Sequence, residues 1–274
     1  MTLETLVTRA QAGDKHALEE LIAQIQDNVY YLSLRMLANP ADAKDACQEI
    51  LVRVITKLST FKAKSSFTTW VYRLAVNHLL NTTQALQKNN ALTFDMFRED
   101  LEVDLQPPDA FSSRPDYKLM VDEVRVACTM AMLLCLDPKH RAAYILGVIF
   151  EYDSVEAGAI QNITPANHRQ RLGRAKAKVE DFTKDTCGVV STSARCSCPN
   201  KLTGAVRRGR IGLQTRPAKQ NGRAYEAALE MIQAIEETKR GHALQLQIER
   251  PSAPTGSSPH IEAMLELATS ALPN

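Results

Sequence analysis

The sequence predicts an all-α protein in which two helical domains are joined by an acidic linker and followed by a mostly helical C-terminal extension. Three observations point there. Apolar residues recur at spacings of three and four through most of the chain, with no strand-like alternation. Helix-starting residues and helix-ending signals such as Asn39-Pro40 punctuate those runs. The composition, 45% hydrophobic and 23% charged over 274 residues, allows a substantial core and excludes a disordered or collagen-like chain.

Charge and hydropathy narrow the class further. With 33 Lys and Arg against 31 Asp and Glu, the net charge is only +2. Any nucleic-acid binding must therefore come from locally segregated charge rather than a uniformly basic surface. The longest apolar stretch, residues 142–150, is far short of the ~20 residues that cross a bilayer, so no membrane span is expected. Residues 1–9 carry neither a basic leader nor an apolar block, which predicts a cytoplasmic protein with reduced cysteines. Cys47, Cys128 and Cys135 each fall singly on an apolar helical face and read as small buried hydrophobes.

The first domain spans 1–84. Leu18, Leu21, Ile22, Ile25, Val29, Leu32 and Met36 mark one long amphipathic helix ending at Asn39-Pro40. A second begins near Ala41 and buries Cys47, Ile50, Leu51, Val54 and Leu58. Its outer side carries Asp45, Glu49 and Arg53 at spacings of four, with Gln48 beside them. Taken alone, that stripe is a solvated helix face. After Phe61-Lys-Ala-Lys-Ser-Ser, with Ser65 or Ser66 as N-cap, a third helix turns Phe67, Trp70, Val71 and Leu74 inward. Thr69, Arg73, Asn77 and Asn81 fall on its opposite face, where amide and guanidinium groups suit base reading, and Phe61 stands where an unstacked base could rest.

Residues 85–116 form the linker. Seven acids (Asp95, Glu99, Asp100, Glu102, Asp104, Asp109, Asp116) face only Lys88, Arg98 and Arg114, and Pro107-Pro108 interrupts periodicity. Such a segment is a tether repelled by DNA phosphate, or a strand that threads a basic channel of a partner.

The second domain, 117–186, begins with an apolar helix leading into Leu136-Asp137-Pro138 and a helix from Lys139 to Phe150. Asp153-Ser154 then caps a short helix to Gln161, Asn162 supplies a left-handed turn, Thr164 caps, and Pro165 opens a long basic helix. This is a helix-turn-helix pattern. Arg169, Arg171, Arg174, Lys176, Lys178 and Lys184 face only Glu180 and Asp181, a charge balance that suits the major groove.

Here the residues carry a family resemblance. Leu18 to Asn81 resembles region 2, and Asp137 to Phe182 region 4, of the small extracytoplasmic-function (ECF) sigma factors of bacterial RNA polymerase, in the sigma-70 family. The segment Asp42-Ala-Lys-Asp-Ala-Cys-Gln-Glu-Ile-Leu-Val-Arg is similar to the family's clamp-binding helix, and Phe61 to Asn77 resembles its loop and helix for the promoter −10 element. The loop has Ala63 and Lys64 where the family usually has Gly and an acid, and Gly158 and His168 also depart from its commonest pattern.

The resemblance implies roles for individual residues. Asp45, Gln48, Glu49 and Arg53 would dock on the clamp of the polymerase β′ subunit, and region 4 would meet the β flap. Phe61 and Asn77 would hold a flipped-out base of the −10 element, with Trp70, Tyr72 and Arg73 around it; Asn81, one turn beyond Asn77 on the same face, is read from that spacing as part of the same −10 group. Arg169, Gln170, Arg171 and Arg174 would approach the −35 element, and Thr164 and Asn167, at the N-terminal end of the same helix, are grouped with them as −35 candidates. The linker would enter the active-site channel. Such a protein is not an enzyme, requires no cofactor, and has core RNA polymerase and promoter DNA as partners, with an anti-sigma factor as a further one. The alternatives are a stand-alone helix-turn-helix regulator and a metal- or redox-sensing DNA-binding protein.

Residues 187–274 exceed the family core. Cys187, Cys196 and Cys198 are candidate ligands for Zn or Cu, with a fourth from His242, His260 or a second chain. Otherwise they form a local turn whose thiols stay reduced or pair with one another. Lys201 to Arg223 holds seven basic residues and no acid, and its glycines predict a mobile basic loop. Amphipathic helices are expected around 225–235 and 261–267.

Overall fold

A computed structural model of the chain describes residues 2–87, 91–107 and 111–211. Ten α-helices run through these residues, with no strand among them. Helix α1 (Leu3–Gln11), α2 (Lys15–Leu37), α3 (Pro40–Lys57) and α4 (Phe67–Gln87) form the first bundle. Each start has a local cause. Asp14 accepts the Ala17 amide at the head of α2, Asn39 accepts those of Ala41 and Asp42 with Pro40 at the first position of α3, and Ser66 accepts that of Thr69. Helix α2 ends at Ala38, whose φ of 55° closes the helix in a left-handed cap.

The linker is not the bare tether that its composition suggests. Thr93 caps a helix α5 (Phe94–Glu102), which turns Phe97 and Leu101 onto Met132 and Phe182 of the second domain. That domain comprises α6 (Tyr117–Cys135), α7 (Pro138–Tyr144), α8 (Ser154–Gln161) and α9 (Pro165–Thr186). The helix expected to reach Phe150 stops at Tyr144 and continues as a π-turn over Ile145–Ile149, with the Phe150 amide donating to the Ile145 carbonyl. The wider turn carries the chain to Phe150 and Tyr152, which both face the first domain.

The two domains share one core. Leu133, Leu136, Tyr144 to Leu146, Ile160 and Val179 belong to the same buried cluster as Leu21, Leu32, Val54 and Val76. Arg141 fastens them. It is fully buried, and its guanidinium donates to the carbonyls of Leu133, Leu134 and Leu136 at the end of α6 and to Met36 in α2. Neutral carbonyls alone satisfy this cation, and burial brings its pKa down to about 10, which leaves it charged at neutral pH.

The extension differs most from expectation. A helix α10 (Cys198–Arg207) runs straight through Gly204, where a loop was predicted. A Cβ at Gly204 would stand 2.8 Å from the Asp104 Cβ, so the glycine serves close approach to the linker. Basic and acidic segments then neutralise each other. Arg208 spans Asp100 and Asp104 at 2.7 and 2.9 Å, Arg210 grips Asp100, Arg207 lies 3.5 Å from Asp104, and Lys201 donates to the Val103 carbonyl at 2.8 Å. Residues 212–274, with the two further expected helices, His242 and His260, lie outside the described residues.

Candidate nucleic-acid interface

The α3 stripe is open. Asp45, Glu49 and Arg53 are exposed and Gln48 is half-buried, because the opposite side of the helix buries Ala46, Cys47, Ile50 and Val54. Glu49 is 4.0 Å from Arg53 and 3.7 Å from the His78 imidazole of α4. Burial, and then the Arg53 charge, hold His78 below its ordinary pKa, with Glu49 opposing.

The second group, around α4, is divided. Phe61 packs edge-on to Phe67 at 5.4 Å and tilted to Trp70 at 5.5 Å, forming a half-open aromatic corner. Asn77 and Asn81 are exposed. Thr69, expected beside them, is instead buried, with its hydroxyl 2.7 Å from that of Ser66 in the helix cap. Tyr72 is also buried, its ring edge-on to Phe150 at 5.3 Å and to Tyr152 at 5.6 Å. Arg73 donates its Nε hydrogen to the Ala159 carbonyl of α8 at 2.9 Å. Part of the expected base-binding surface is thus covered by the second domain. No sequence signal announces that cover, since Tyr72 and Tyr152, like Arg73 and Ala159, are distant in the chain and meet only through packing.

The helix-turn-helix forms as expected. Asp153 accepts the amides of Val155 and Glu156, Asn162 turns the chain at φ 54° and ψ 46°, and Thr164 accepts the Asn167 amide ahead of α9. Gly158 is required, because a Cβ there would meet the Ile163 carbonyl oxygen at 2.9 Å. Thr164 at the cap of α9 and Asn167, Arg169, Gln170 and Arg174 on the helix are exposed, and Arg171 is half-buried. Arg169 donates to the Ser154 hydroxyl at 3.0 Å. His168 faces inward, with its Nδ1 2.7 Å from the Gln161 side-chain amide, and burial lowers its pKa.

Cys187, Cys196 and Cys198 come together, and Cys128 of α6 joins them at one enclosed cavity of about 30 Å³. This corrects the expectation that Cys128 sits singly among apolar side chains. As the side chains stand, no three His, Cys, Asp or Glu groups among the described residues are set closely enough to hold a metal ion. No described helix is long and apolar enough to cross a membrane.

An exposed mixed-charge stripe, an aromatic corner flanked by exposed asparagines, and a basic recognition helix on one chain define a two-domain helical protein of the DNA-transcription class. The sigma-70 region 2 family profile matches residues 21–89. The chain is 24% identical over 194 residues to the ECF RNA polymerase sigma factor SigW of Bacillus subtilis, covering 68% of this chain and 98% of that protein. It is 27% identical over 183 residues to the ECF RNA polymerase sigma-E factor of Escherichia coli, covering 66% and 94%. Over 78 residues it is 35% identical to the RNA polymerase sigma-H factor of Pseudomonas aeruginosa, covering 28% and 40%. Residues 21–89 thus match the sigma-70 region 2 family, and over about two thirds of its length the chain is similar to ECF RNA polymerase sigma factors.

Proposed function

We infer that this chain binds core RNA polymerase and directs promoter recognition and opening at the start of transcription, acting in the cytoplasm without catalytic chemistry of its own. One observation carries the reading. A region 2 bundle with its α3 stripe open to solvent stands on the same chain, in the family's order, as a complete helix-turn-helix.

Asp45, Gln48, Glu49 and Arg53 then meet the β′ clamp, and the second domain meets the β flap. Phe61 and Asn77 hold an unstacked base of the −10 element, walled by Trp70, Tyr72, Arg73 and Asn81. Capturing that base offsets the few kcal/mol that unpairing costs. Thr164, Asn167, Arg169, Gln170, Arg171 and Arg174 face the −35 duplex, the N-terminal side chains at base edges and the later ones on phosphate. Because Tyr72 and Arg73 are engaged by Tyr152 and Ala159, the two domains must separate before the −10 strand reaches them. An anti-sigma factor that held them together would act on the same contact.

Run-off transcription with core polymerase and a randomised promoter pool tests this. Transcripts are expected with the wild-type chain and are lost with Asn77→Ala or Phe61→Ala. Absence of transcript from the whole pool, with tight duplex binding in the absence of polymerase, would instead mark a stand-alone regulator.

A further inference from the structure

We infer that Gln11 of α1 is a positioning residue for the −10 base pocket, its side-chain amide tying down the turn from which Phe61 projects. This rests on the reading in which Phe61 holds an unstacked base. Phe61 is not carried by an α-helix. It follows a short 3₁₀ turn over Leu58–Thr60, with its backbone extended at φ −69° and ψ 118°, and leads into the exposed Lys62, Ala63 and Lys64. Ala63 stands at φ 52°, a conformation that residues other than glycine seldom adopt, so local preference does not hold this loop. Within the turn the Phe61 amide donates to the Leu58 carbonyl at 3.1 Å, in the poorer hydrogen-bond geometry of a 3₁₀ turn. A ring that must meet a base face to face needs a firmer mount than that.

Gln11 supplies it. Its Nε2 donates to the Leu58 carbonyl at 2.9 Å and to the Phe61 carbonyl at 3.0 Å, across 47 and 50 positions of sequence. Two carbonyls facing one amide nitrogen engage both of its hydrogens, which fixes the orientation of the group. The two acceptors bracket the turn, so a single side chain pins both its start and the residue that bears the ring. Gln11 can hold the turn because α1 is itself held. Leu6, Val7 and Ala10 are buried in the core of the first bundle. Past Gln11 the chain turns at once, with the Gly13 amide donating to the Ala10 carbonyl at 3.1 Å and the Arg9 guanidinium to the Asp14 carboxylate at 2.8 Å.

The ring so placed completes the aromatic corner. Phe67 is buried and stacks on Trp70 at 5.6 Å, while Phe61 and Trp70 are each half-buried and keep ring surface open. Stacking on such a corner depends on the direction of the Phe61 ring. Without the two donors, the Leu58 and Phe61 carbonyls turn to water and the ring samples more directions, so base capture must order it first.

The test uses holoenzyme assembled from core polymerase and the full chain, on a promoter recovered from a randomised pool, with 2-aminopurine beside the captured −10 base to report unstacking. Gln11→Glu keeps the shape and removes both donors, and Gln11→Met removes them without adding charge. Each is expected to weaken capture of the −10 strand about tenfold, the order of two lost hydrogen bonds, while affinity for a −35 duplex stays within about twofold. Equal capture by the wild type and both variants would overturn the inference. So would a parallel loss at both elements, the result of a merely structural role. Trp70, the only tryptophan, gives a readout that needs no promoter. In the free chain its emission should become more open to acrylamide quenching in both variants, and an unchanged Trp70 would also overturn the role of Gln11. A wild-type holoenzyme that unstacks no base would sink the reading of Phe61 itself, an outcome kept distinct because Trp70 still reports whether Gln11 holds the corner.

Discussion

Arg73 of α4 donates its Nε hydrogen to the main-chain carbonyl of Ala159 in α8 across 2.9 Å, which ties α4 to the first helix of the helix-turn-helix. Beside that bond, Tyr72 packs edge-on against Phe150 and Tyr152. Two parts of the expected DNA surface therefore serve as an internal interface. Each aromatic pair contributes ~0.5–1.5 kcal/mol beyond burial. Tyr152→Ala should shift the domains toward separation and raise affinity for a single-stranded −10 oligonucleotide by up to about tenfold, since 1.4 kcal/mol corresponds to a factor of ten. Fluorescence anisotropy checks this, and unchanged or weaker binding would show that the contact is no barrier.

Arg141 should be the costliest single residue to lose. Its removal strands the carbonyls of Leu133, Leu134, Leu136 and Met36 in the core and leaves a cavity. Arg141→Ala is expected to destabilise by about 3–5 kcal/mol in urea unfolding. A loss below 1 kcal/mol would mean that water reaches these groups.

Gly158→Ala tests the fit of the helix-turn-helix. Helix propensity alone would favour alanine by ~1 kcal/mol. The added Cβ, however, meets backbone at 2.9 Å on the Ile163 oxygen and 3.3 Å on the Pro165 nitrogen, and backbone cannot swing aside as a side chain does. Overpacking should win, lowering stability by about 1–3 kcal/mol and weakening −35 duplex binding in parallel.

Stability should fall on mild acidification. Burial lowers the His168 pKa from its ordinary 6.5, with Arg171 and Arg169 acting in the same direction. The unfolded chain therefore binds a proton more readily than the folded one below pH 6.5. The stabilising contribution is complete above 6.5 and is lost as pH falls from there toward the lower folded value. His78, whose pKa burial also lowers, adds a slope of the same sign. His168→Gln should flatten, without abolishing, the dependence of the urea midpoint on pH.

The extension's hold on the linker should depend on Asp100, which Arg208, Arg210 and Lys201 all approach. Hydrogen bonding from Arg210 holds the Asp100 carboxyl below its ordinary pKa, so its contribution persists at neutral pH and fades only as pH falls below 3.8. Asp100→Asn is expected to cost about 1 kcal/mol and to speed amide exchange over Cys198–Arg207 more than over α2.

Much of the site was legible because it is written in local chemistry. Asn39-Pro40, Asp137-Pro138, Asp153 and Thr164-Pro165 each place a cap at the helix start where it was expected, and Asn162 turns the helix-turn-helix where glycine would usually stand. The polar stripe on α3 and the basic face of α9 follow from helical periodicity, so Asp45, Glu49, Arg53, Arg169 and Arg174 emerge on the surface as read. Thr69 is an exception, because a hydroxyl can satisfy a cap and be buried where an amide side chain would not.

Contacts between distant segments carried no such signal. An acidic linker beside a glycine-containing basic segment reads as two solvated stretches until Asp100 and Asp104 are seen against Lys201 and Arg208. Cys128, spaced like any core residue of α6, is assigned to the sulfur cluster only when the chain folds back after α9. Helix boundaries, caps and polar faces depend on neighbours within a few positions, so composition and spacing were enough to specify them. The closure of the second domain over Tyr72 and Arg73, and the meeting of four cysteines, depend on pairings some 60 to 90 residues apart in the chain that burial of a shared core brings together.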